Sequence, residues 1–221
     1  MSDPTATSNL ATDPSTASVS DALDSLGLPG SLHGIGALRQ GQRVVGPVFT
    51  VTYEPVDETG GTVGDFLDDV PAGAVILIDN AGRTDCTVWG GIMSQTAHER
   101  GIAGTVIHGT CRDVAVATAA GYPIWSASRF MRTGKDRVRV AAVQTPVTID
   151  GVLIHPGDIL VADDDGAVAV PAEGWDEVAD IARRIDRVED AIVEAVRAGA
   201  TLTEARRRHG YHSLQTRKAP S

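Results

Sequence analysis

The sequence predicts a single α/β domain, and three features of its pattern predict it. AVILID at 74–79 and GTVIH at 104–108 are unbroken apolar runs with a helical pattern between them. Strands buried on both faces read this way, and a helical crossover joins parallel strands. Beyond residue 136 the runs RVRVAAV, PVTIDGVLI and DILVADDDGAVAVP are short and β-branched, with Asp-Gly pairs that mark hairpin turns. From Trp175 to Ala198 the apolar positions alternate by three and four, which makes one long amphipathic helix. At 221 residues the chain is long enough for one substantial core.

Taken in order, residues 1–14 are small and polar and predict a flexible arm, with the folded domain over 15–205. Ser15 or Thr16 caps a short helix carrying Val19, Ala22, Leu23 and Leu26, which Gly27 and Pro29 terminate. RVVGPVFTVTYEP reads as a strand with a Gly-Pro interruption. After the strand at 74–79, Trp89, Ile92, Met93, Thr96 and Ala97 recur at helical spacing up to Gly101. The second buried strand follows, so the loops after both strands emerge at one carboxyl edge of the sheet. In the antiparallel half, Asp150-Gly151 and Asp165-Gly166 are the predicted hairpin turns. The last helix carries Val178, Ile181, Ile185, Val188, Ile192 and Val196, stops at Gly199, and turns a charged face to solvent. A basic, mobile tail is expected over 206–221.

Composition narrows the partners. A formal net charge of −10 argues against a phosphate backbone, whose affinity comes from Lys and Arg releasing counterions. Only Cys86 and Cys111 are present, too few for a disulfide framework, which points to a reduced, cytoplasmic setting. No apolar run approaches the ~20 residues that span a bilayer, so no membrane is expected. The apolar faces of the first and last long helices exceed what a monomer would cover, so an oligomer is expected.

Ligands of an open parallel sheet settle beyond the carboxyl ends of its strands. Gly90-Gly91-Ile92-Met93 and Gly109-Thr110-Cys111-Arg112-Asp113 meet there. The first segment opens a helix, so its free N–H groups hold a carboxylate, and paired glycines allow close approach. The second supplies Arg112, a planar donor for a carbonyl oxygen, and Asp113, a hard metal ligand. Together they describe a receptor for a 2-oxo acid with a cation on its oxygens. The alternative is that Arg112 and Asp113 merely cap the helix that begins DVAVATAA. Arg129, Arg132 and Lys135 form either a solvated basic loop or a site for a distal carboxylate or phosphate.

WGGIMSQTAHERGIAGTVIHGTCRD, followed by HPGDILVADDDGAVAVP, resembles the RraA-like family over about residues 16–205. That family includes the 4-hydroxy-4-methyl-2-oxoglutarate aldolases and related oxaloacetate decarboxylases. The resemblance implies a swivelling β/β/α-type domain and homotrimers, sometimes hexamers, with active sites between subunits. It implies that Arg112 holds the pyruvyl carbonyl oxygen, that Asp113 binds Mg²⁺ or Mn²⁺ partly through water, and that the amides of Ile92 and Met93 grip the carboxylate. Glu189, from a neighbour's C-terminal helix, would complete the metal's outer shell. The implied activity is a carbon–carbon lyase working through a metal-stabilised pyruvate enolate. The family also includes an inhibitor of ribonuclease E that acts by protein contact, so a regulatory protein is the second reading. That regulator lacks the metal-binding carboxylate present here as Asp113. A methyltransferase label used for some relatives finds no nucleotide-binding glycine fingerprint here.

Two positions depart from the family pattern. Gly91 stands where the aldolases carry an acidic residue implicated in proton transfer, and an aspartate there is expected to raise aldol cleavage. His108 stands where many relatives have Asp, and it is either a replacement acid/base or a satisfied structural histidine. Decarboxylation removes no hydroxyl proton, which ranks it above aldol cleavage.

Overall fold

The β-branched stretch Val44–Pro55 forms one unbroken strand that serves two sheet layers. The structure is a computed structural model that describes residues 13–56, 63–211 and 214. In chain order it runs α1 (Thr16–Leu26), β1 (Ser31–Leu32), β2 (Gly36–Ala37), β3 (Val44–Pro55), β4 (Val75–Asp79), β5 (Thr87–Trp89), α2 (Gly91–Glu99) and β6 (Gly104–Cys111). There follow α3 (Val114–Ala120), β7 (Ile124–Arg129), β8 (Val138–Val143), β9 (Val147–Ile149), β10 (Val152–Ile154), β11 (Ile159–Asp163), β12 (Gly166–Val170), α4 (Trp175–Arg197) and α5 (Leu202–Arg208).

The Gly46-Pro47 pair does not interrupt β3; it marks where the strand changes partner. Val44–Pro47 pair antiparallel with β11, whereas Val48–Thr52 pair parallel with β4, and Val51–Pro55 take β8 antiparallel on the other side. A Cβ on Gly46 would lie 2.7 Å from the Gly73 carbonyl oxygen, so glycine is required by close approach there. The strand order is β1-β12-β11-β3-β4-β6-β7-β2. The predicted βαβ unit is present, with β4 and β6 parallel and α2 between them.

Side-chain alternation along these strands builds the layers. Leu160, Ala162, Ala167 and Ala169 of β11 and β12 face Val75, Leu77, Val106 and Trp125 of the parallel part, joined by Ile149 and Ile154 of the β9–β10 hairpin. The outer face of β11–β12 is covered by α1 and α4 through Val19, Leu23, Val178 and Ile185. On the outer face of the parallel strands Phe49, Ile76, Ile78 and Ile107 meet Met93 and Ala97 of α2 and Ala117 of α3. This mixed α/β architecture with its long C-terminal helix is the predicted one.

Ser15 is the cap of α1: its hydroxyl accepts from the Ser18 amide, and Gly27 ends the helix at φ 71°. Asp163 locks this helix to the sheet, because its carboxylate accepts from the Thr16 amide at 2.9 Å, the Thr16 hydroxyl at 2.5 Å and the Asp165 amide at 3.0 Å.

Several local expectations need correction. Trp89 is the last residue of β5 and not part of the helix, which starts at Gly91, and Ile92 faces solvent at 83% exposure. The loop between β11 and β12 is Asp164-Asp165, with Gly166 already paired to Asp163, while Asp150-Gly151 form the other turn with φ of 50° and 83°. Leu202–Arg208 form a helix with a Thr201–Glu204 capping box, so the tail begins later than the composition suggested. Residues 1–12 of the arm and most of the tail lie outside the described residues, while the carbonyls of Asp13 and Pro14 accept from Arg43. The apolar faces of α1 and of the first half of α4 are covered within the chain by each other and by β11–β12, whereas Val193 and Val196 near the end of α4 are exposed.

Asp163→Ala is expected to lower folding stability by about 2–3 kcal/mol, since bonds to a charged acceptor contribute about 1.5–3 kcal/mol and Thr16 would keep unpaired donors. The measurement is the urea midpoint at unchanged slope.

Candidate functional site

Beyond the carboxyl ends of β5 and β6 lies a cavity of about 210 Å³ lined by Val63, Thr87, Trp89, Gly90, Gly91, Ile92, Met93, Arg112, Asp113 and Thr133. Arg112 is brought there by its amide, which donates to the Trp89 carbonyl at 3.0 Å and ties the two strand ends together. Asp113 then turns into the left-handed region, at φ 57° and ψ 37°, a conformation that Asp tolerates better than most residues. Its carboxylate does not cap α3. Instead Oδ2 accepts from the Gly91 amide at 2.9 Å and lies 3.5 Å from Arg112 Nε. The capping alternative is therefore not what the chain adopts.

The paired glycines leave room for this approach. A Cβ on Gly90 would lie 3.0 Å from Asp113 Oδ2 and 3.3 Å from Arg112 Nε, and one on Gly91 would lie 3.1 Å from Val116 Cγ1 and 3.3 Å from Asp113 Cβ. A side chain at position 91 would need Val116 and Asp113 to give by a few tenths of an ångström.

The start of α2 supplies the donors. Ser94 is the first residue whose amide bonds back into the helix, to Gly90 O at 3.0 Å, which leaves the Ile92 and Met93 amides without an intrahelical acceptor. Trp89 braces this end: its ring stacks on Tyr122 at 6.0 Å, and Nε1 donates to Ser94 Oγ at 3.0 Å, which in turn donates to Gly90 O. Two free amides at the positive end of a helix, a guanidinium and a carboxylate thus share one cavity. Asp113 offers a single hard oxygen donor at an open site, and among the described residues no group of three His, Cys, Asp or Glu side chains converges. That donor set fits a cation that keeps most of its water, as Mg²⁺ does, and does not fit zinc.

Two predicted residues lie elsewhere. His108 follows Val106 by two positions and leaves β6 on the face between the sheets, opposite Ile107 and the cavity. Its Nδ1 is 2.9 Å from Asp79 Oδ1, which also accepts from the Ala81 amide at 2.8 Å. His108 therefore has one ring nitrogen engaged by Asp79 and does not line the cavity of Arg112 and Asp113. Glu189 lies on α4 in a separate groove with Asp13, Ser15, Arg43 and Asp186. Burial, then Asp21, Asp186 and Asp190, pushes its carboxyl above the usual range. Within one chain it does not meet Asp113.

Arg129 donates to Leu38 O at 3.0 Å, Arg132 lies over the Phe130 ring at 5.8 Å, and Lys135 is exposed, so none of these three basic side chains lines the cavity. Burial raises both Cys86 and Cys111, which keeps these thiols protonated. The walls formed by Val63, Thr87 and Thr133 escaped the sequence reading. Thr-Val-Trp before Gly-Gly was a β signal too short to register beside the helical pattern.

The model of the family described as Aldolase/RraA, RraA-like, matches residues 16–169. Protein DlpA of Legionella pneumophila is 40% identical over 88% of this chain, and the chain spans about a third, 32%, of that relative's length. The 4-hydroxy-4-methyl-2-oxoglutarate aldolase of Thermus thermophilus is 32% identical over 52% of this chain and 70% of its own. The crystal structure of Streptomyces coelicolor RraAS2, described as an unusual member of the RNase ES inhibitor RraA protein family, aligns with a TM-score of 0.73 at 32% identity, over 80% of this chain and 90% of that one.

His108→Ala is expected to cost about 1–2 kcal/mol of stability through the lost bond to Asp79, and Asp79→Ala at least as much because the Ala81 amide also loses its acceptor. Urea unfolding of both single variants and the double variant measures this, with a non-additive double expected for a contacting pair.

Proposed function

The chain belongs to the RraA-like family, and from its site we propose that it is a divalent-cation-dependent lyase that cleaves the C3–C4 bond of a 2-oxo acid and releases pyruvate. The observation that carries this reading is the convergence of the free Ile92 and Met93 amides with Arg112 and Asp113 on one cavity of about 210 Å³.

The two amides and the positive end of α2 bind the C1 carboxylate. Arg112 donates to the 2-oxo oxygen and stabilises the negative charge that grows there as the C3–C4 bond breaks. The Gly91 amide fixes the Asp113 carboxylate, which would hold Mg²⁺ or Mn²⁺. A bound cation would supply Lewis-acid stabilisation of the developing negative charge. Trp89 and Met93, both buried, keep bulk water from the inner wall. No described carboxylate other than Asp113 lines the cavity, in keeping with the glycine at 91.

The likeness to RraAS2 favours a second reading, a regulatory protein that binds a ribonuclease without catalysis. Asp113 argues for the enzyme, because its carboxylate shares one cavity with the Arg112 guanidinium and the free amides of Ile92 and Met93. Assembly is part of the proposal. Ile92 and Met131 are 83% and 75% exposed beside the cavity mouth, and a homotrimer or hexamer with sites between subunits would cover them and bring Glu189 of a neighbour to the cation.

Pyruvate release from 2-oxo acids, followed by coupled lactate dehydrogenase, is expected to vanish with chelator and return with Mg²⁺ or Mn²⁺. Arg112→Ala is expected to lower kcat by about 10²–10³-fold. Asp113→Asn is expected to abolish the cation response without loss of fold, since Asn still accepts from Gly91 and tolerates the left-handed region. Full activity in exhaustively chelated protein would refute the lyase reading in this form. Light scattering at micromolar concentration is expected to give three or six chain masses, and a monomer would refute the shared site.

A further inference from the structure

The geometry points to Asn80 as a positioning residue for Arg112 and Asp113: its buried amide holds an internal water against a bulge at His108-Gly109, and that bulge sets where residues 110–113 emerge. The positioning role rests on the proposed reading of Arg112 and Asp113 as the working pair; the water does not.

β6 changes partners just before it delivers that pair. Up to His108 it runs beside β4, and from Thr110 it runs beside β5. On its other side Ile107 faces Ser126 and Thr110 faces Ser128, so three steps of β6 pass two of β7. One residue of β6 is extra, and a bulge of this kind re-aims the chain that follows it. Beyond the bulge the chain is tied to its new neighbour: the Thr110 hydroxyl donates to the Cys86 carbonyl at 2.6 Å, and the Arg112 amide donates to the Trp89 carbonyl. The bulge itself is held from the β4 side, where the His108 carbonyl accepts from the Asn80 amide at 3.0 Å and the Gly82 amide at 3.2 Å.

The Asn80 side chain lies against this bulge. A Cβ on Gly109 would stand 3.0 Å from Asn80 Cβ and 3.5 Å from both Asn80 Nδ2 and the Arg83 carbonyl oxygen, so two polar groups converge where Gly109 has no side chain. Asn80 is 1% exposed, and neither Nδ2 nor Oδ1 has a hydrogen-bond partner among the described residues. A primary amide carries two donors and an acceptor with two lone pairs, and burying them unpaired is costly. Buried polar side chains are bonded, in the large majority, to protein or to an ordered water. A water on this amide that also bonds the Arg83 carbonyl has the two polar partners an internal water needs. It ties the loop after β4 to the extra residue of β6. Asn80 is enclosed within a single chain, so a neighbouring copy at the cavity mouth would not reach it.

The test joins crystallography to pyruvate affinity. A high-resolution crystal structure of the intact protein is expected to show an ordered water within hydrogen-bonding distance of the Asn80 amide. Asn80→Leu, close in volume but without polar groups, is expected to fold, to lack that water, and to bind pyruvate with Mg²⁺ present about 10- to 100-fold more weakly by calorimetry, the range for groups that orient a site's ligands from behind. Asn80→Ala, which removes the amide without adding bulk, carries the same expectation should Asn80→Leu not fold. Asn80→Ser, which keeps a hydroxyl and leaves room for water, is expected to recover most of the lost affinity. Asp163→Ala, destabilised where α1 meets the sheet, is expected to bind pyruvate as the wild type does, which separates positioning from loss of stability. An Asn80 amide bonded only to protein groups, or without a water, overturns the internal water. Wild-type affinity in the folded Asn80 variants overturns the positioning role, and so does an equal loss in Asp163→Ala. Absence of pyruvate binding by the wild type overturns the reading of the site and the positioning role with it.

Discussion

Everything in this chain hangs on one strand that is shared. Because β3 gives its first residues to β11 and the next to β4, the two sheet layers cannot move apart without breaking a continuous ladder. The apolar space between the layers is filled by side chains from both, and the helices need only cover the outer faces. The parallel strands thereby keep a fixed carboxyl edge, on which the site is assembled.

The site itself is held by backbone more than by side-chain packing. A guanidinium and a carboxylate in adjacent positions can face one cavity only because Asp113 enters the left-handed region, and that conformation persists because the Gly91 amide holds its carboxylate. Gly90 and Gly91 leave room for the helix start to approach so closely.

Much of this was legible in advance. Continuous apolar runs located β4 and β6, three-and-four spacing located α4, and Gly27, Gly101 and Gly199 marked helix ends. Arg112, Asp113 and the amides of Ile92 and Met93 were placed by strand-edge logic together with family resemblance, and the structure brings them onto one cavity. What failed to show was tertiary. Gly46-Pro47 looked like a break because partner switching leaves no local mark. His108 looked available because the pattern of β6 does not say which face carries the pocket, and its bond to Asp79 joins two strands. Trp89 fits a helical period as well as a strand, and only its pairing with Cys111 decides.

Trp89 has a photophysical consequence. Trp89 is one of the residues lining the cavity, and its buried indole is tethered through Nε1 to Ser94, so it cannot turn away when the cavity fills. The other two indoles are remote from it: Trp125 sits between the sheets with Nε1 donating to Asp163 O, and Trp175 begins α4. Emission from this chain therefore carries a built-in, unlabelled gauge of cavity polarity, in which only one chromophore senses whether the space beside Arg112 is wet or occupied.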